Sequence, residues 1–266
     1  MYNLKFFAAA FVAACISLPA NATNPQSGTV NEAKTEKAQP SGWFYGAFAN
    51  MSSSPYRGMA NEIQALPIIG YRSNKLSWMG PRVSYQLFEQ EGFEASTLLD
   101  YYMVGFDDGD SDFFTGMSER RNSFFAGFSA SYTTTNKLSL SLSSMQDLQG
   151  RSDGNDTKLG LSYAHNVGPI FITPKVELTR LSRAYTDYYY GVRSAEENSE
   201  RKAYDGSTSL NKSVGLSVGT PIFLGGFSRI AVSHHWLDSA ITDSPLIDDD
   251  HYWQATLTFS RFFSTH

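Results

Sequence analysis

The stretch that most constrains this chain is its last strand-like segment, His251 to Phe263. Trp253, Ala255, Leu257, Phe259 and Phe263 alternate with Gln254, Thr256, Thr258 and Ser260. A β-strand turns successive side chains to opposite faces, so the segment has one apolar and one polar face. The apolar face begins and ends in aromatics, as a strand does when it crosses a bilayer between two interfacial girdles. Arg261 interrupts that face near its end, and Ser264-Thr265-His266 follow. Taken alone, the segment suits equally a half-buried strand of a soluble sandwich, so the rest of the chain must decide.

The N-terminus speaks for export. Met1 to Lys5 carries one positive charge, Phe6 to Leu18 is a compact apolar run, and Ala20-Asn21-Ala22 forms a small-x-small cleavage site. Residues 1–22 are therefore expected to be a signal peptide of bacterial type. Val12-Ala13-Ala14-Cys15 only faintly resembles a lipoprotein box, because apolar Ile16 and Leu18 still follow Cys15. Cys15 is the single cysteine, which excludes a small domain stapled by disulfides. Roughly 240 residues would remain after cleavage, ample for one large all-β domain. No later stretch is long and apolar enough for a membrane helix. A barrel needs only alternating segments of about ten residues, and the slightly negative mean hydropathy with 14% aromatics fits that pattern. The net charge of −5 and the lack of a basic cluster argue against a nucleic-acid partner.

Residues 23–41 lack aromatics and are rich in polar types, which predicts a flexible periplasmic tail. From Gly42 the texture becomes aromatic and alternating. Ile63 to Tyr71 reads as a strand carrying Pro67, a residue suited to an edge, an end or a bulge. Leu76 to Phe88 reads as a continuing strand, and Phe93 to Phe106 as a further, less regular one. Alternation is clearest where Leu138, Leu140 and Leu142 interleave with Ser139, Ser141 and Ser143. A sandwich needs a filled inner face, whereas the second face here is largely Ser, Thr and Gly, as around a lumen. Connections alternate between short ones, such as Thr134-Thr135-Asn136, and long ones, such as Ala184 to Ser207 and Asp238 to Asp250. This is the rhythm of short periplasmic turns and longer outer loops. The expectation is an all-β fold: a transmembrane, antiparallel, up-and-down β-barrel over residues 42–266. Eleven strands are legible. An even number is required of a single-chain barrel, so about twelve are expected, with ten as the alternative and Ile63 to Ser118 as the uncertain region.

The chemistry-bearing residues do not assemble into a catalytic motif. Ser233-His234-His235 and Asp248-Asp249-Asp250-His251 could tempt a hydrolase reading, but adjacent residues of a strand point to opposite faces. The acidic loops at Asp107 to Asp112 and Asp243 to Asp250 lack EF-hand spacing, and the histidines lack zinc-site partners. No enzyme activity, metal or cofactor is expected.

With a barrel in view, several stretches resemble the MipA/OmpV family of outer-membrane proteins. They are Leu66-Pro67-Ile68-Ile69-Gly70-Tyr71-Arg72, Gly80-Pro81-Arg82-Val83-Ser84-Tyr85, Leu159-Gly160-Leu161-Ser162-Tyr163, Asp187-Tyr188-Tyr189-Tyr190-Gly191-Val192, Asp243-Ser244-Pro245-Leu246-Ile247 and the C-terminal strand. The resemblance covers nearly all of residues 42–263. It implies a cell outer-membrane barrel in contact with lipid and lipopolysaccharide, inserted by the barrel-assembly machinery. It further implies a scaffold that binds a murein lytic transglycosylase and a bifunctional murein synthase. Other members are surface antigens or adhesins, or are linked to antibiotic response; a narrow small-solute pore is a further alternative. No catalytic residues carry over.

Two residue sets are singled out. Asp187 with Tyr188, Tyr189 and Tyr190 suits an extended outer loop whose rings offer rigid contact area, together with Asp243, Asp248, Asp249 and Asp250. The competing reading makes the tyrosines part of an interfacial girdle. Arg82, Lys175 and Glu177 are candidates to face the lumen, lining a pore or plugging it by pairing across the barrel.

Overall fold

The computed structural model describes residues 41–263. The expected signal peptide (1–22), all but the last residue of the 23–41 tail and the closing Ser264-Thr265-His266 lie outside the described residues. The strands in chain order are β1 (Gly42–Ser52), β2 (Glu62–Arg72), β3 (Leu76–Met79), β4 (Arg82–Gln90), β5 (Phe93–Tyr102), β6 (Ser123–Thr133), β7 (Leu138–Asp147), β8 (Asn155–Tyr163), β9 (His165–Val167), β10 (Ile170–Leu181), β11 (Ser209–Thr220), β12 (Phe227–Trp236) and β13 (His251–Phe262). Each pairs antiparallel with its neighbours. The ring closes where β1 lies along β13, from Phe44 opposite Phe262 to Ser52 opposite Gln254. β9 continues β8 past Ala164 against the same partner, β10, so the wall has twelve strands. Closure leaves the sheet without terminal edges, which is how a β-structure satisfies its backbone in lipid.

The strand missed in the sequence lies inside Leu76 to Phe88. Gly80 adopts a left-handed φ of 56° and the chain folds back at Gly80-Pro81, making two short strands of one expected long one. Phe93 to Phe106 ends earlier than expected, at Tyr102, where the chain leaves the wall for a long loop.

One end of the barrel carries only short turns, at residues 73–75, 91–92, 134–137, 168–169 and 221–226. The Glu91-Gly92 turn has φ of 49° and 84°, the doubly left-handed form whose twist matches that of the flanking strands. A Cβ on Gly92 would lie 2.3 Å from the Thr133 carbonyl oxygen, so space as well as conformation demands glycine there. The opposite end carries the long loops at 53–61, 103–122, 148–154, 182–208 and 237–250.

The faces follow the alternation. Leu138, Leu140 and Leu142 stand outward at 41%, 51% and 49% exposure, while the serines between them turn in. On a soluble protein a belt of exposed leucines would be a large sticky patch; in a bilayer it is the lipid face. Aromatics mark its borders: Tyr45 against Phe263 (4.9 Å) at the turn end, and His234 between Trp236 and Trp253 (4.3 Å each) at the loop end. The densest apolar packing lies elsewhere, under the long loops.

Candidate functional site

The loop end is closed by a core of its own. Tyr56, Phe106, Phe114, Met117, Tyr189 and Ile247 are buried together over Tyr102, Phe125, Met145 and Leu181, which rise inward from the strand ends. Residues from the 53–61, 103–122, 182–208 and 237–250 loops contribute. The rings interlock: Tyr56 stacks on Tyr190 (5.5 Å, 10°) and meets Phe106 (5.4 Å) and Phe114 edge-on (6.0 Å). Backbone ties reinforce them. Arg57 N–H donates to Leu246 O (2.8 Å), Asp248 N–H to Pro55 O (2.9 Å), and Ser244 Oγ to Tyr190 O (2.6 Å). The start of β8 joins through Asn155 N–H to Ser182 Oγ (2.9 Å).

A short helix, α1 (Arg183–Tyr190), organises this cap. Ser182 caps it, its Oγ accepting from Tyr185 N–H at 3.3 Å. The 3.6-residue repeat puts Tyr185 and Tyr189 on one buried face, and Tyr189 is 1% exposed. Burial pushes the Tyr190 phenol up to about 12, against the opposing effect of a hydrogen bond with Tyr56.

Below α1 sits a buried ion pair. Arg120 meets Glu196 in a two-pronged contact, Nη1 to Oε1 at 2.9 Å and Nη2 to Oε2 at 2.6 Å, with side-chain exposures of 1% and 3%. Arg120 also donates to Ser118 O (2.7 Å) and Gly191 O (3.2 Å), and Glu196 accepts from Ser118 N–H (3.0 Å) and Arg193 N–H (3.1 Å). Burial acts to raise the Glu196 pKa, but the Arg120 hydrogen bond, the two backbone N–H groups and the Arg120 charge outweigh it and bring it down to about 2. A second buried cation, Arg201, donates to the carbonyls of Phe113, Thr115 (3.3 Å) and Glu196 (2.9 Å). The loops at 103–122 and 182–208 are thus bolted together. None of Arg120, Glu196 and Arg201 was singled out in the sequence. The partners Arg120 and Glu196 stand 76 residues apart, and no local spacing announces such a pair.

The residues chosen from sequence part company here. The stretch read as an extended loop, Asp187 to Val192, is helical through Tyr190. Tyr189 is interior, and Tyr188 and Tyr190 are half-buried, packed on the cap core rather than on a girdle. Tyr188 Oη accepts from Arg121 N–H at 2.9 Å. Asp187 is exposed but fastens the loop by accepting from Gly206 N–H at 2.7 Å. Asp243, Asp248, Asp249 and Asp250 are exposed; Asp248 pairs with Arg57 (2.6 Å) and Asp250 with His251 (2.6 Å).

Inside the barrel, Arg82, Lys175 and Glu177 share the inward parity of their strands. Lys175 holds Glu177 two residues along the same strand (2.5 Å), and Arg82 holds Asp100 on the neighbouring strand. These pairs therefore run along the wall rather than across the lumen. Close by, Lys158 lies 3.4 Å from Asp156, which also accepts from Tyr102 Oη (2.8 Å). Ser233 and His235, two apart and so on one face, stand 2.8 Å apart, with His235 stacked on Tyr252 (4.5 Å). Adjacency in the sequence points to Ser233 with His234, but residues two apart share a strand face, and the pair that forms is Ser233 with His235. Among the described residues no carboxylate hydrogen-bonds to His235, so the pair lacks the group that would orient a catalytic imidazole. No cluster of three metal-ligating side chains occurs among the described residues.

Comparison with known proteins agrees with this architecture. The family model described as MltA-interacting protein MipA matches residues 45–263. The putative outer membrane protein YiaT of Escherichia coli K12 is 26% identical over 206 residues, covering 76% of this chain and 83% of that one. Outer membrane protein Omp26La of Vibrio anguillarum is 24% identical over 222 residues (82% and 84%), and OmpV of Vibrio cholerae 24% over 203 residues (75% and 78%). Among solved structures, an outer membrane channel from Pseudomonas putida F1 aligns over 88% of this chain and all of its own, at 10% identity and a TM-score of 0.44. With a closed twelve-stranded wall, a lipid-facing belt and a family match along almost the whole of it, the chain belongs to the MipA family and is an outer-membrane β-barrel.

Proposed function

We propose that this barrel is a non-catalytic scaffold that holds murein-remodelling enzymes, a lytic transglycosylase and a murein synthase, beneath the outer membrane. The family match carries the reading, since the family is described by its interaction with such an enzyme. Two features support docking from the short-turn end. The long loops bury their aromatic surface against one another, leaving scattered charged and polar side chains for contact outside the cell. β1 starts at the short-turn end, which supports reading residues 23–41 as a periplasmic tether. A surface-adhesin role would rest instead on the exposed Asp187, Asp243, Asp248, Asp249 and Asp250 of the cap.

Co-purification after in-cell crosslinking tests the scaffold, with the mature chain compared against one lacking residues 23–41. The expected result is recovery of a transglycosylase or synthase with the mature chain. Loss of that recovery on deletion would make the segment the tether. Recovery of only lipopolysaccharide and the barrel-assembly machinery would overturn the scaffold.

A further inference from the structure

The outward face of the wall changes character in one sector of the loop end. On β8, β10 and β11 the lipid-facing Leu159, Leu178 and Val214 give way, toward the loops, to Thr157, Arg180 and Lys212. On β7, Leu142 gives way to Ser144 in the same manner. Ser144, Thr157 and Arg180 stand opposite one another on successive strands, and the two hydroxyls lie 3.2 Å apart. The change is confined to these strands. Elsewhere the outward residues near the loop ends are apolar or aromatic: Met51 of β1, Ile63 of β2, Tyr101 beside Phe124 (4.8 Å), and Trp253 of β13.

The two cations are exposed neighbours. Lys212 lies opposite Leu178 on one side and Trp236 on the other, with Leu210 and Val214 before and after it on the same face. A lysine so flanked stands at the edge of the hydrocarbon, where a long cationic side chain turns its head toward the headgroup layer. Arg180, two residues past Leu178, is its diagonal neighbour; such positions are about 7–8 Å apart, within reach of long side chains. Both heads can therefore meet on one group. Among the described residues neither cation enters an ion pair, and no carboxylate stands outward on β7 to β12. Like charges this close repel, so the pair is best satisfied by an anion from outside the chain.

We infer that Arg180 and Lys212 clamp a phosphate of lipid A, the phosphorylated glycolipid anchor of lipopolysaccharide. The patch adjoins the lipid-facing belt, so its anion carries an apolar part that can lie on Leu142, Leu159, Leu178 and Val214. It stands at the long-loop end, which places that anion in the outer leaflet. The planar fork of Arg180 suits a phosphate, and Lys212 adds a point charge from the neighbouring strand. Ser144 and Thr157 offer hydroxyls to the sugar and amide groups beside the phosphate. The clamp requires only the barrel's place in the membrane, whatever docks beneath it.

The test titrates the mature protein, delipidated in non-ionic detergent, with diphosphorylated lipid A and reads bound lipid by native mass spectrometry. The parent should hold lipid A and hold its dephosphorylated form far more weakly. Each cation near a charged lipid surface contributes about a factor of five, so Arg180→Gln with Lys212→Gln should weaken binding about twenty-five-fold. Lys75→Gln, in the 73–75 turn at the opposite end, should bind as the parent does. If the double variant loses the compact unboiled gel mobility, Lys212→Gln alone should show the fivefold loss. Parental affinity in a compact variant, no lipid A on the parent, or equal affinity for the dephosphorylated form would overturn the clamp. Equal competition by phosphatidylglycerol would overturn it too, since any anionic lipid would then serve.

Discussion

Glu196→Gln should loosen the cap without unfolding the barrel. The substitution keeps the size of the side chain but leaves the Arg120 guanidinium, 1% exposed, without its counter-charge and turns an amide N–H₂ toward one of its own donors. Removing one partner of a buried pair typically costs about 3–5 kcal/mol, mostly from the orphaned charge. Arg120 retains the carbonyls of Ser118 (2.7 Å) and Gly191 (3.2 Å) as acceptors, which argues for the lower end, about 3 kcal/mol. At 1.4 kcal/mol per decade that raises the open population of the cap roughly a hundredfold. At low protease, cleavage tracks that population. Trypsin should therefore cut within residues 103–122 and 182–208 roughly a hundred times faster than in the parent, while the unboiled protein keeps its compact mobility on a gel. A double replacement, Arg120→Met with Glu196→Met, should recover much of the resistance, since it leaves no charge behind. A single variant cleaved at nearly the parental rate would refute the reasoning, as would simultaneous loss of the compact barrel.

Further outcomes follow from the same geometry. Glu196 is held down at about 2 in the folded cap, so its stabilisation is fully present above the ordinary carboxylate range and is lost as pH falls through about 2. After correction for pepsin's own pH profile, cleavage of the cap should begin to rise as pH falls below about 4.5 and level off near 2; a rate that stays flat from about pH 5 to 2 would contradict the assignment. Tyr189→Ala deletes a 1% exposed ring and its hydrogen bond to Arg121 O (3.2 Å), at a cost to cap stability of about 3–5 kcal/mol. If outer-loop binding survives that variant unchanged, with the cap still protease-resistant, Tyr189 is not part of the packed core. Gly127→Ala puts a Cβ 1.8 Å from the Ser144 carbonyl oxygen and should block β6–β7 pairing, read as loss of heat-modifiable mobility. Arg82→Ala leaves Asp100, whose side chain is 3% exposed, without this counter-ion, and the urea midpoint should fall by the equivalent of about 3 kcal/mol.

The barrel was legible because a two-sided wall writes a period of two into the chain, and the leucine–serine interleaving of residues 138–143 is the clearest case. One strand escaped because Leu76 to Phe88 reads as continuous; the signal stands in the Gly80-Pro81 pair and in the apolar positions, which shift parity from Leu76 and Trp78 to Val83, Tyr85 and Leu87. Pro67 did carry its message, since it stands where β2 has an open edge. The cap was not legible. Its core comes from loops far apart in sequence, as with Tyr56 on Tyr190 and Arg120 on Glu196, and no local period encodes such meetings. The tyrosine run attracted notice as contact surface, but the helix repeat turned one of its rings into the core.

The central claim is that partners dock at the short-turn end of a barrel whose loop end is sealed by its own packing. Photo-crosslinking amino acids placed in the cell at Asn136 and Phe223, in the short turns, and at Asp248, on the cap, test it directly. The account expects covalent adducts with a murein transglycosylase or synthase from the turn positions and none from Asp248. Adducts with those enzymes from Asp248 alone, or with neither site reaching them, would contradict it.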